Sequence, residues 1–163
     1  MSIIIKSGDL LKSDCTYICH QVNCRGVMGS GIARQIRETW PQVYRNYAAK
    51  CKATAKCNMP SSSMLGSIQV VALFDDFYKT EEHKYVINLF AQNMYGNQGR
   101  FTSYDAFWEC LWNLRTGIAP GSTIGFPYGI GCGLGGANWN IIYAMVEEVL
   151  GEKYNVEIYK KEE

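Results

Sequence analysis

Three glycines, Gly26, Gly29 and Gly31, follow an apolar run that ends at Val22, and they precede Ile32, Ala33 and Ile36, which recur at helical spacing. Glycine lets backbone N–H groups approach an anion, and a helix N-terminus adds a dipole of the favourable sign, so this pattern suits phosphate binding. A second loop, Gly129-Ile130-Gly131-Cys132-Gly133-Leu134-Gly135-Gly136, again separates a strand-like run from a helical one. Its five glycines suggest backbone wrapped around a ligand. Two such loops at equivalent positions predict a double clamp on a diphosphate. The dinucleotide fingerprint G-x-G-x-x-G is not met, because the first loop reads G-x-x-G-x-G and Gln42 to Lys50 holds no acid to anchor a ribose.

Residues beside these loops supply the remaining chemistry. His20 stands at the end of the strand before the first loop, where an imidazole could transfer protons near neutral pH or form a structural hydrogen bond. Cys24 and Cys132 sit one in each loop, but a reactive thiol needs an environment that stabilises thiolate, and small loop residues are often cysteine for packing. Arg25 could meet a phosphate or simply face water. Tyr95 and Phe101 flank the Gly96-Asn97-Gln98-Gly99 turn and could cover a ligand or pack internally.

The elements that must position these groups are legible as alternating patterns. Ser2–Lys6, Thr16–Val22, Ser67–Leu73, Lys84–Phe90, Ser122–Phe126 and Asn155–Tyr159 read as strands. Helices are predicted after the first glycine loop, from Pro41 with Val43, Tyr44 and Tyr47 inward, and through Ile141, Ile142, Met145, Val146 and Val149 to Gly151 as a left-handed stop. Another helix begins at a capping box of Thr102 and Asp105, and its stripe of Tyr104, Phe107, Trp108, Leu111 and Leu114 is assigned to the core. Ser61-Ser62-Ser63 reads as a polar break and Asp75 to Glu82 as an exposed acidic connection. Strands interleaved with helices predict an α/β fold with a sheet covered on both faces and a site at strand-to-helix loops.

The chain has 163 residues, 47% hydrophobic and 13% aromatic, which suits one globular domain spanning 1–163. Its formal net charge is +1 with acids and bases interspersed, so no global field is expected to draw it onto nucleic acid or an anionic membrane. Seven cysteines, an odd number without paired zinc spacing or a secretory opening, point to a reducing, cytoplasmic setting and to neither a disulfide framework nor a metal site. No apolar run is long enough to span a bilayer. Monomer is the default assembly.

Gly8-Asp9-Leu10, the strand ending His20-Gln21-Val22-Asn23, Gly29-Ser30-Gly31-Ile32-Ala33 and the stretch from Phe126-Pro127 to Gly136 together resemble the signature of macro domains, in order along the chain. The similarity is greatest to the branch holding the terminal ADP-ribose protein glycohydrolases and the ADP-ribose-1″-phosphate phosphatases, with phage and bacterial relatives. The resemblance implies a three-layer α/β/α sandwich with a central mixed, mostly parallel sheet, and ADP-ribose or a derivative as ligand, without a cofactor. It gives Asp9, followed by Leu10, the adenine amino group and Asn23 the distal ribose. Gly29, Ser30, Gly31 and Ile32 would line one side of the diphosphate, and Gly131, Cys132, Gly133, Leu134 and Gly135 the other.

The chain departs from the glycohydrolase pattern in two places. Gly135 stands where those enzymes have aspartate, and their nucleophilic lysine has no match in Ile87-Asn88-Leu89-Phe90, with Lys84 at the far end of that strand. His20 and Asn23, with Gln92 or Asn93, are the remaining candidates for the chemistry. The first expectation is a hydrolase acting on an ADP-ribose-linked group of a small molecule, protein or nucleic acid, with His20 as general acid/base and water as nucleophile. The second is a non-catalytic ADP-ribose reader or nucleotide-signal sponge. The third, a nucleic-acid module, is disfavoured by the balanced charge.

Overall fold

A computed structural model describes residues 2–73 and 83–162; the predicted acidic connection Asp75 to Glu82 lies outside them. Elements follow the order β1 (Ser2–Ser7), β2 (Tyr17–Val22), α1 (Gly31–Thr39), α2 (Pro41–Lys56), β3 (Ile68–Ala72), β4 (Tyr85–Phe90), α3 (Tyr104–Gly117), β5 (Thr123–Pro127), α4 (Trp139–Leu150) and β6 (Asn155–Lys160). One six-stranded sheet runs β1-β6-β5-β2-β4-β3. Every neighbouring pair is parallel except β3 with β4. The result is the mixed, mostly parallel sheet that the sequence implied.

Strands covered on both faces do not alternate buried with exposed residues, and β2 and β4 are accordingly buried along nearly their whole length, with His20, Gln21 and Asn88 as their polar members. Cys19, Ile87 and Leu89 face Phe107, Leu111 and Leu114 of α3 and Ile142, Val146 and Val149 of α4. Ile18, Val22, Val86 and Phe90 face Ile36 of α1 and Val43 and Tyr47 of α2. Two helical layers thus enclose the sheet. Each such large side chain contributes roughly 1.5–3 kcal/mol on burial, which offsets the entropy of ordering the loops at the strand ends.

Local differences from the sequence reading have local causes. Helix α3 is capped by Ser103, whose hydroxyl accepts from the Ala106 N–H at 3.1 Å, because Thr102 is turned inward and occupied elsewhere. Trp108 is 36% exposed and Ile141 43% exposed, since both fall on the outer edges of stripes whose centres fill the core. Gly151 caps α4 in right-handed geometry, φ −60° and ψ −32°, instead of the left-handed stop. The Ile3-Ile4-Ile5 run forms an outer strand paired on one side only, which leaves Ile4 and Ile5 about half exposed.

Candidate functional site

Strands β2 and β5 lie side by side, yet β2 leads into α1 on one face of the sheet while β5 leads into α4 on the other. Loops that diverge in this way leave a crevice beyond the strand ends, where open α/β sheets place ligands. A cleft of about 610 Å³ occupies that position. Its walls come from 27–33 after β2 and 127–135 after β5, and Gln92, Tyr95, Gly96 and Asn97 close one end from the segment after β4.

The first wall is a helix N-terminus with free donors. Ser30 is the N-cap in extended geometry but its hydroxyl makes no capping bond, and the first amide of the helix to find a backbone acceptor is Arg34, on Ser30 O at 3.2 Å. The N–H groups of Gly31, Ile32 and Ala33 therefore have no acceptor among the described residues. Gly31 takes φ +56°, a conformation that a side chain would strain. Across the cleft, Cys132, Gly136 and Ala137 donate back to Gly129, Gly133 and Gly131, and these turns leave the N–H groups of Gly133, Leu134 and Gly135 without acceptors. Two stretches of unpaired amides on the walls of one cleft offer donors to anionic oxygens.

The floor is polar; Gln92 was among the sequence candidates, whereas the parts of Gln21 and Thr102 in it were missed. Gln21 Nε2 donates to Gln92 Oε1 at 2.7 Å and to Thr102 Oγ1 at 2.8 Å, and Thr102 donates to Gly131 O at 2.8 Å. This strap ties β2, the segment after β4 and the second glycine loop together. Gln21 Oε1 is buried without a partner, 2.9 Å from where a Cβ on Gly131 would lie. The departure at Gly135 also has a steric reason: a Cβ there would meet Thr102 Oγ1 at 2.5 Å and Gly131 O at 2.6 Å. This loop has no room for the aspartate of the glycohydrolase pattern.

Of the residues singled out from sequence, Asn23, Gly29, Ser30, Gly31, Ile32, Gly131, Gly133, Leu134 and Gly135 line the cleft. His20 does not. Alternation along β2 sends its ring to the opposite face from Gln21, where it is fully buried and bonded through Nε2 to Asn88 Oδ1 at 2.5 Å. Asn88 in turn donates to Gln69 Oε1 at 3.0 Å, which makes a polar ladder across β2, β4 and β3 and assigns the ring proton to Nε2. Burial holds the His20 pKa at about 4, the Asn88 bond opposing the shift, so the ring is neutral near pH 7.

Asn23 reaches the cleft wall, but its amide is committed to its own loop. Its Nδ2 donates to Val27 O at 2.8 Å, and its Oδ1 accepts from Arg25 N at 2.9 Å and lies 2.7 Å from the Tyr47 hydroxyl. Tyr47 accepts in turn from the N–H groups of Gly26 and Val27 at 3.0 and 3.1 Å. Asp9 and Leu10 lie outside the cleft lining: the Asp9 carboxylate accepts from Leu11 N at 2.9 Å, and Leu10 is buried under β5 against Gly125. Cys132 also lies outside it, and burial raises its thiol and pushes that of Cys24 up to about 11, so neither is poised as a thiolate. Lys84 is bonded to Ser13 O at the opposite end of the sheet, and Asn93 is held by Ser61 at 2.8 Å. Among the described lining residues Tyr95 and Tyr128 alone carry ionisable side chains. Tyr95 is 56% exposed and Tyr128 40% exposed, and with Leu134 at 57% they form an apolar rim suited to a base or sugar.

Removing the Tyr47 hydroxyl strands the Gly26 amide and takes one partner each from Val27 N and Asn23, so Tyr47→Phe is expected to cost about 1–3 kcal/mol in urea denaturation. The same change should loosen the first loop, seen as faster amide exchange at Gly26 and Val27. His20 generates a pH dependence. Its folded pKa lies near 4 against 6.5 in the unfolded chain, so its contribution is complete above pH 6.5 and is lost as pH falls from there towards 4. The difference in stability between wild type and His20→Gln should therefore shift in favour of the variant by up to ~3 kcal/mol across that window. Parallel pH profiles for the two proteins would exclude the neutral buried imidazole.

No family model matches the chain. It is 31% identical over 136 residues to an uncharacterized 17.5 kDa protein of Enterobacteria phage T4, covering 80% of this chain and 77% of the phage protein. A stretch of 46 residues, 28% of this chain, is 46% identical to the DNA ADP-ribosyl glycohydrolases of Mycobacterium tuberculosis and Mycobacterium bovis, and spans 13% of their length. Among solved structures, the macrodomain of Mycobacterium tuberculosis DarG superposes with a TM-score of 0.71 at 25% identity over 96% of both chains. Thermosipho africanus DarTG in complex with ADP-ribose gives a TM-score of 0.77 at 21% identity, covering 98% of this chain and 41% of that one. A relative across four-fifths of the sequence and a macrodomain that superposes along nearly its whole length lead to one assignment: the chain belongs to the macro domain family.

Proposed function

We propose that this chain binds ADP-ribose, or an ADP-ribosyl group carried by another molecule, and acts first as a reader of that group. The observation that carries this reading is the cleft itself: two sets of acceptor-free amides, at 31–33 and 133–135, face each other at the strand ends. A diphosphate supplies the oxygens that such donors lack, and the Tyr128 and Leu134 rim supplies apolar surface for the adenosine. Thermosipho africanus DarTG, of which this chain matches 41%, has been solved in complex with ADP-ribose, which supports this choice of ligand. The described lining contains no carboxylate, imidazole, amine or thiol, so proton transfer has no ready agent there.

Hydrolysis of an ADP-ribose-linked group is the second reading, favoured by the local likeness to DNA ADP-ribosyl glycohydrolases. Under it, the amides of Gln21, Gln92 and Asn97 would orient water, and binding and positioning would supply the rate. His20, neutral and turned to the other face, would act only by holding β2 and β4 in register. Asn23 would hold the first loop that presents the amides.

Calorimetric titration with ADP-ribose tests both. Gly133 has open space at its Cβ and no positive φ, so Gly133→Glu should fold normally while placing a carboxylate among the phosphate-binding amides. The expected loss is about 100-fold or more, the scale of an anion forced against a bound phosphate. Wild type failing to bind, or Gly133→Glu binding equally well, would reject the clamp. Turnover assays on ADP-ribose-1″-phosphate, O-acetyl-ADP-ribose and ADP-ribosylated protein and DNA then separate the readings. Binding without turnover on any of them establishes the reader; turnover that persists in His20→Gln places catalysis on the cleft amides.

A further inference from the structure

The near-neutral total charge conceals a strong segregation. Between Cys15 and Leu73 the sequence holds seven Lys or Arg residues and one acid, Glu38, in a chain whose total is +1. Helices α1 and α2 carry six of those bases. The opposite layer, α3 and α4, has Asp105, Glu109, Glu147 and Glu148 against Arg115 alone. The expectation of interspersed charge therefore fails in three dimensions: one helical layer is basic and the other acidic. Among the described residues none of these four acids has a base within salt-bridge distance. Arg115 is engaged within its own layer, donating to Val149 O at 2.6 Å with its guanidinium 5.5 Å from the centre of the Trp112 ring.

The acidic layer also carries apolar surface that its own packing does not use. A helix that covers a sheet needs one apolar stripe, and α3 supplies it with Phe107, Leu111 and Leu114, α4 with Ile142, Val146 and Val149. Each helix has a second stripe. On α4, Ile141, Ala144, Met145 and Glu148 stand at i, i+3, i+4 and i+7, and on α3, Asp105, Trp108 and Trp112 stand at i, i+3 and i+7. The α4 stripe and Trp108 line one groove of about 560 Å³, which shares no lining residue with the cleft. Trp112 extends it, edge-on to Trp108 with 6.2 Å between ring centroids. Trp108, Trp112 and Ile141 are all exposed. Neighbouring exposed tryptophans with a polar rim are the composition of a protein contact, where Trp supplies a large share of the binding energy.

We propose that the α3–α4 groove docks a short basic amphipathic helix of a partner protein, its apolar side on Trp108, Ile141 and Met145 and its Lys or Arg side chains beside Asp105, Glu147 and Glu148. Charge selects this occupant: unpaired acids beside an apolar groove match cations beside an apolar stripe, and they repel an anionic lipid surface or a nucleic acid. An exposed indole adds a face on which a cation can sit. The walls select a helix. Both are helices whose main-chain groups are paired internally, so a segment lying between them has to satisfy its own N–H and C=O groups. From Asn140 to Glu148 the groove runs about 12 Å, the length of two turns of such a helix. The proposal is independent of the ligand held in the cleft, and wild type that fails to bind ADP-ribose leaves it standing.

The probe is a synthetic Leu/Lys peptide of about 14 residues with its leucines at the spacing of one helical face, titrated into the nitrogen-labelled protein. The indole N–H signals of Trp108 and Trp112 should move, while that of Trp40 on the opposite layer should not. Trp108→Ala should weaken the peptide by about tenfold or more, the scale of a lost aromatic anchor, and Asp105→Lys with Glu148→Lys should do the same by charge reversal. If Trp108→Ala perturbs the circular dichroism spectrum, Ala144→Arg at an exposed helical position makes the test by filling the groove. A peptide of the same composition in scrambled order should bind at least about tenfold more weakly, because it presents no apolar stripe. Equal binding of the two peptides, binding that survives these variants, or no movement of the Trp108 signal overturns the docking site. So does concentration-dependent sedimentation of the protein alone that Trp108→Ala abolishes, which would give the groove to a second copy.

Discussion

Backbone amides without acceptors are the constraint around which this molecule is arranged. An N–H removed from water and left unpaired costs a few kcal/mol, so six of them can persist at 31–33 and 133–135 only where an open cleft keeps them supplied with water or an anion. Presenting them on two converging walls requires each loop to be held without using these six donors. The first loop is held by side chains from elsewhere, with Tyr47 on α2 and the Asn23 amide taking up the turn at 25–27. The second is held by turns within itself and by Thr102, which Gln21 braces from β2. Helical packing at Tyr47 and strand packing at Gln21 are thereby coupled to the shape of the anion site.

This arrangement gives the glycines distinct meanings. Gly31 and Gly131 take backbone angles that favour glycine, Gly135 leaves space that Thr102 and Gly131 already fill, and Gly133 leaves space open to the cleft. One sequence pattern therefore combines a conformational requirement, a packing requirement and a ligand requirement. The same packing explains why the aspartate of the glycohydrolase pattern is missing. Restoring it would need Thr102 to move, and with it the hydroxyl that links Gln21 to the loop.

The two glycine loops were legible because glycine's freedom is a property of the residue, and the alternation of strands and helices was legible because burial repeats with their periods. The catalytic candidates were not. Strand β2 is covered on both faces and carries one polar residue on each, so its pattern carries no phase, and nothing local says whether His20 or Gln21 faces the ligand. The hydrogen bond to Asn88 on β4 reveals the answer, and it joins residues 68 positions apart. The cap of α3 posed the same difficulty on a smaller scale. Thr102 and Ser103 are both competent N-caps, and the contact of Thr102 with Gly131, 29 residues away, leaves the role to Ser103. Asn23 lines the cleft, but its amide is occupied by Val27, Arg25 and Tyr47, partners that the sequence spacing alone did not announce.

Charge was misread for a related reason. A total of +1 averages over a fold that assigns successive stretches of chain to opposite sides of a sheet. Because α1 and α2 are consecutive and pack on one face while α3 and α4 pack on the other, a run of bases in one half of the sequence becomes a basic surface instead of a diluted one. The cleft lies between these layers, so a ligand entering it meets positive potential from one wall and negative potential beyond the other. With Arg34, Arg37, Arg45, Lys50, Lys52 and Lys56 on α1 and α2, and Asp105, Glu109, Glu147 and Glu148 on α3 and α4, an anion approaching the cleft is favoured from the α1–α2 side.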